Sequence, residues 1–157
     1  MNTTMLTKTR TLDGEIELCT FYVGDLLLGI PIEQVEEITR RTEVTPVPGA
    51  APSVRGIMSL RGDVVTVLDL RAVLGLEAAD YGSRARNIIV PAAGERIGLI
   101  VDRVADVVRA RASELLPPPA NIAATDTRFF QSVYRMENEL LVILDVTHAT
   151  AVLDCAS

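Results

Sequence analysis

Two aspartates are the residues most suited to joint chemistry. Asp69 ends the run Val67-Leu68-Asp69-Leu70 and Asp145 ends Ile143-Leu144-Asp145-Val146, so both carboxylates follow an apolar stretch in the same setting. One acid from each of two related segments is how an aspartic dyad comes to share a proton. That chemistry needs a small, glycine-containing turn behind each acid, whereas the followers here are Leu70-Arg71 and Val146-Thr147. An aspartate between a strand and a helical turn does a commoner job, accepting hydrogen bonds from the unpaired N–H groups at the helix start. We read both as caps. His148 is the sole histidine, so a metal site or nucleophilic triad would have to be built around one imidazole. Neither HExxH, CxxC nor GxSxG occurs. Cys19 and Cys155 lie near opposite ends without CxxC spacing, as incidental thiols in a reducing compartment do. Gly24-Asp25-Leu26-Leu27-Leu28-Gly29 has glycines but neither the lysine nor the long helix of a phosphate-cradling loop. No catalytic, cofactor-binding or metal-ligating residue is expected, and a small hydrolase is the minor reading.

The elements that must position any site are mostly strands. Glycine and proline cut the chain into short runs rich in valine, isoleucine, leucine and threonine. These predict strands over Glu17–Val23, Leu26–Ile30, Glu37–Val44, Val54–Ser59, Val64–Leu68, Arg86–Val90, Arg96–Val101, Ala105–Arg109, Phe129–Arg135 and Leu140–Leu144. Gly24-Asp25, Arg61-Gly62-Asp63, Gly94-Glu95 and Glu137-Asn138 supply tight turns between neighbours. Helix is confined to one turn at Ile32–Val35 and one at Leu70–Leu74, stopped by Gly75. The clusters Pro46–Pro52 and Pro117-Pro118-Pro119 are extended connectors, because proline has no N–H to give a ladder.

The halves of the chain repeat. Gly29 to Ile38 recurs as Gly98 to Val107 at a spacing of 69, and the Asp69 segment recurs around Asp145 at a spacing of 76. A duplicated unit of about five strands follows, and a unit so small buries its apolar face best by curling into a barrel. We therefore expect a mainly β protein of two SH3-like five-stranded barrels sharing a hydrophobic core, with short helical turns. Leu26–Leu28, Val64–Leu68 and Leu140–Leu144 are apolar on consecutive residues, which a strand with one wet face would not be. Both their faces should be covered. Residues 1–14 are expected to form a flexible tail and 15–155 a single domain, with the repeat boundary near 80–86.

The chain has 157 residues and a net charge of −6, a balance unsuited to neutralising nucleic-acid phosphates. Only three Phe and three Tyr are available for base stacking, so an oligonucleotide-binding barrel is also disfavoured. No apolar region marks a secretory signal, and no run approaches the length of a membrane span. A soluble, cytoplasmic binding module is the expectation.

Its best surface is Val54-Arg55-Gly56-Ile57-Met58-Ser59-Leu60-Arg61-Gly62-Asp63. Gly56 weakens an apolar strand, which is tolerated where a bulge forms or another backbone comes close. Arg61 sits at a hairpin tip, either as a solvated turn residue or as an anchor for a partner's carboxylate. Continued through Val64-Val65-Thr66-Val67-Leu68-Asp69-Leu70-Arg71, this stretch resembles the signature of the CheW family of chemotaxis coupling proteins. The segments Gly29–Ile38 and Gly98–Val107, the proline connectors and Leu141–Asp145 follow in family order, so that the resemblance covers about residues 15–153. It departs at Ser59, where asparagine is usual, and at Thr66, where proline is usual. The resemblance implies twin SH3-like barrels without enzymatic activity. It also implies a bridge between chemoreceptor cytoplasmic tips and the regulatory domain of a CheA-type histidine kinase, in swimming chemotaxis or in a related pathway for gliding or pilus motility. Val35, Glu37, Gly56, Arg61 and Val107 match family positions that affect this coupling.

Overall fold

Ten strands form where the apolar runs lie. The computed structural model describes residues 14–40, 43–120, 122 and 127–151. They comprise β1 (Glu15–Val23), β2 (Leu26–Pro31), β3 (Glu37–Arg40), β4 (Val54–Leu60), β5 (Asp63–Asp69), β6 (Arg86–Ala92), β7 (Glu95–Val101), β8 (Arg103–Arg111), β9 (Phe130–Arg135) and β10 (Leu140–Leu144). Two short helices, α1 (Leu70–Val73) and α2 (Val146–Thr150), follow β5 and β10. Single 3-10 turns occupy Ile32–Gln34, Ala112–Glu114 and Thr127–Phe129, the last two without an anticipating signal. Of the third strand predicted over Glu37–Val44, Glu37–Arg40 is extended and Glu43 and Val44 are not in a strand, while 41–42 lie outside the described residues. The tail expected over 1–14 falls, except for Gly14, outside the described residues, as does Cys155.

The strands make two five-stranded sheets, ordered β8-β1-β2-β10-β9 and β3-β6-β7-β5-β4. Each half of the chain was expected to close on itself, and the topology corrects this. The first hairpin, β1–β2, joins β8, β9 and β10 of the second half, while the hairpin β6–β7 joins β3, β4 and β5. The residues near 80–86 therefore connect strands within one sheet. The duplication survives in register: Gly29 pairs with Ile143 across the parallel β2–β10 pair, and Gly98 pairs with Val67 across the parallel β5–β7 pair. Each sheet also closes alike, by a lone bridge from the segment after its edge strand. Thr45 meets Ile57 in one, and Leu116 meets Val133 in the other.

Alternating side chains explain the uninterrupted apolar runs. In β5, Val65 and Val67 enter a small core with Met58, Tyr81, Ala85, Ile89 and Ile100, whereas Leu68 enters a larger one. In β10, Leu141 and Ile143 enter the first barrel's own core with Leu18, Leu27 and Ala110, while Val142 and Leu144 enter that same larger one. The large cluster draws on both sheets and is the shared seam, with Phe21, Leu28, Leu68, Ile88 and Leu99 fully buried in it. Burying a side chain of this size contributes about 1.5–3 kcal/mol, so the barrels gain much by meeting. A polar brace adds to the seam. The carboxylate of Asp102 accepts from the Gly24 N–H at 2.7 Å and from Arg71 Nη2 at 2.9 and 3.0 Å, tying the β1–β2 turn to α1.

Candidate docking surface

The turn between β4 and β5 sets the first candidate side chain. Arg61 has φ 51° and Gly62 φ 85°, the left-handed pair that a two-residue hairpin turn requires. Glycine adopts this readily, but arginine at such a φ costs about 1 kcal/mol. The side chain returns across the sheet. Arg61 Nη1 and Nη2 donate to Glu37 Oε1 and Oε2 at 2.5 and 3.0 Å. Glu37 opens β3, one edge of the second sheet, and Arg61 follows β4, the other edge. The arginine stays 70% exposed while Glu37 is only 23% exposed, so the guanidinium faces outward from a fixed base. Arg96 pairs with Asp63 beside it and lies 4.0 Å from Glu36.

Gly56 has a structural explanation. Its φ is 147°, and a Cβ there would sit 2.1 Å from the Thr45 carbonyl oxygen. The register shifts between Val54 and Gly56, so the bulge and the close backbone approach occur together. The approaching backbone is this chain's own: Thr45 and Ile57 exchange bonds of 2.8 and 2.9 Å. Gly56 is buried and shapes β4 from beneath the surface. Val35 ends the 3-10 turn, donating its N–H to Ile32 O at 3.1 Å, and packs half-buried on the shared seam two residues before Glu37.

The structure thus brings Glu37 and Arg61 into contact, with Val35 two residues before Glu37 along the chain. Val107 stands apart on β8 of the other sheet, where it is 54% exposed. Among the exposed apolar residues, Ile38 on β3, next to Glu37, and Val64 at the start of β5, three residues after Arg61, were overlooked. The repeat contained a signal for the first, because Ile38 is the counterpart of Val107 in the aligned segments. Val64 begins an apolar run, and nothing in that run told its wet end from its dry one.

Both aspartates cap. Asp69 accepts from the Arg71 N–H at 3.0 Å and Asp145 from the His148 N–H at 3.0 Å, each at the start of its own helix. Asp69 also accepts from the Tyr81 hydroxyl at 2.5 Å and lies 3.6 Å from Arg55. Among the described residues no group of three or more His, Cys, Asp or Glu is placed to hold a metal ion. No described helix is long and apolar enough to cross a membrane.

A surface of this shape, on twin barrels with exchanged hairpins, accompanies a family match. The model of the CheW-like domain matches residues 17–152. This chain belongs to the CheW family. It is 33% identical over 138 residues to a chemotaxis protein CheW of Bacillus subtilis, covering 88% of this chain and 86% of that one. It is 36% identical over 105 residues to Protein FrzA of Myxococcus xanthus, covering 67% and 66%. The crystal structure of the scaffolding protein TtCheW from Thermoanaerobacter tengcongensis matches with a TM-score of 0.80 and 27% identity, covering 85% and 86%. Membership in the CheW family accounts for the mainly β fold and its two SH3-like sheets.

Proposed function

We propose that this protein is a non-enzymatic adaptor that couples chemoreceptor cytoplasmic tips to the regulatory domain of a CheA-type histidine kinase. The observation that carries the reading is the outward guanidinium of Arg61, pinned to Glu37 across the two edges of one sheet within a CheW-family chain. A receptor tip is a helical hairpin, and exposed apolar residues such as Ile38 and Val64, with the Arg61 guanidinium nearby in the chain, suit the apolar face of a helix flanked by an acid. A partner carboxylate would compete with Glu37 for the fork, and such exchange links docking to the β3 edge. Val35, Glu37, Gly56, Arg61 and Val107 are the proposed coupling positions, with Gly56 acting through the shape of β4. Holding two partners at once makes their encounter effectively intramolecular, which is how a protein without chemistry transmits a bias. It works in the cytoplasm, alongside membrane receptor arrays.

The similarity to FrzA supports a second reading, in which the coupled pathway resembles chemotaxis but controls gliding or pilus motility. Pull-down with receptor fragments and kinase regulatory domains of both pathway types tests the proposal. Capture of a receptor and a CheA-type kinase together supports it, and binding to neither overturns it.

A further inference from the structure

The second sheet carries an unmatched pair of positive charges. On the β3–β6 ladder Arg40 lies directly opposite Arg86. Like charges facing each other across strands are destabilising unless something neutralises them. Among the described residues the Arg40 side chain makes no ion pair or hydrogen bond. Arg86 has none with an acid either: its Nη1 donates to the backbone carbonyls of Ser83 and Ala85 at 3.2 and 2.8 Å. Those bonds hold the guanidinium in place while leaving the Nη2 and Nε hydrogens uncommitted. Both arginines line an open surface cavity of about 330 Å³, together with Tyr81, Gly82 and Ser83. The Tyr81 hydroxyl is already spent on Asp69.

We propose that this cavity is a binding site for a phosphate dianion, free or as a small monoester. Guanidinium forks match phosphate geometry with paired N–H donors. Two uncompensated cations call for a double negative charge, which one carboxylate does not supply. Two arginines are too few to track a nucleic-acid backbone, and the net charge of −6 opposes one. The volume is at the lower end for small-molecule sites, in keeping with a ligand little larger than its anionic group. The site is distinct from the Glu37–Arg61 pair: Arg40 is three residues beyond Glu37, roughly 10 Å along the strand.

The test titrates the full chain with inorganic phosphate and, separately, with glycerol phosphate. The guanidinium Nε–H resonances of Arg40 and Arg86 are followed by NMR against chloride at matched ionic strength. Saturable movement of both resonances with either phosphate, weakened at least tenfold in Arg40→Gln, is expected. Response to both compounds shows that the phosphate group suffices, and response to the ester alone assigns the site to esters. Arg40→Gln is the chosen variant because its guanidinium supports no part of the fold, and an unchanged thermal midpoint confirms that. Movement no greater than chloride produces, or equal affinity in Arg40→Gln, overturns the proposal.

Discussion

Arg61 and Glu37 join the two edge strands of one sheet through a forked ion pair, though 24 residues separate them. Because the arginine is mostly in water, screening and side-chain entropy limit the pair to about 0.2–1 kcal/mol. A double-mutant cycle of Arg61→Gln and Glu37→Gln, read by urea denaturation, should return a coupling energy in that range. The backbone predicts a further asymmetry. Asparagine tolerates the left-handed region better than arginine, so Arg61→Asn should lower stability by no more than about 0.5 kcal/mol. A loss of several kcal/mol would make Arg61 a pillar of the fold instead of a surface group.

Gly56→Ala should be costly. The added methyl meets a backbone oxygen that bonds Ile57, so it cannot swing aside as a side chain would. Strain at such a site costs about 1–3 kcal/mol, and loss of the Thr45–Ile57 bridge adds to it. Denaturant titration should show at least that drop, and a variant as stable as the parent would mean that β4 has room to shift.

The caps should differ in strength. Asp145→Ala removes one cap bond at α2 and should cost about 0.5–2 kcal/mol. Asp69→Ala should cost more, because it also strips the partner from the Tyr81 hydroxyl and from Arg55. Equal costs by denaturant titration would show that those contacts contribute nothing.

Tyr81 predicts an alkaline weakness. Burial, and then its bond to Asp69, push its hydroxyl well above the ordinary phenol value of about 10. Below that pH the folded and unfolded chains are both protonated. Above it the unfolded chain loses its proton first, so stability falls as pH rises. Tyr81→Phe should lose about 1 kcal/mol at neutral pH and show a shallower decline beyond pH 10, measured by denaturation across that range. Parallel declines in the two proteins would contradict this.

All ten strands were legible because turn residues separate runs whose branched side chains suit a pleated, buried surface. The consecutive apolar residues of β5 and β10 correctly signalled cover on both faces, and the spacing of Gly29 and Gly98 foreshadowed their equivalent registers. Hairpin exchange was not legible. Turn chemistry decides which consecutive strands pair, but the parallel contacts of β2 with β10 and β5 with β7 are fixed by packing at the seam. Of the proposed docking residues, Gly56 stood out by breaking the local rule for a strand, and Arg61 by its place at a hairpin tip. That Arg61 would find Glu37 was hidden, since a link between the two edges of a sheet exists only once its strand order does.

The most direct test of the docking account is receptor-dependent kinase activity reconstituted with a receptor fragment, a CheA-type kinase and either the parent protein or Arg61→Glu. The charge reversal places two acids together at the β3 edge and should greatly weaken activation, with the thermal midpoint nearly unchanged. Parental activation and parental affinity for both partners in Arg61→Glu would contradict the account and reduce Arg61 to a residue of the turn.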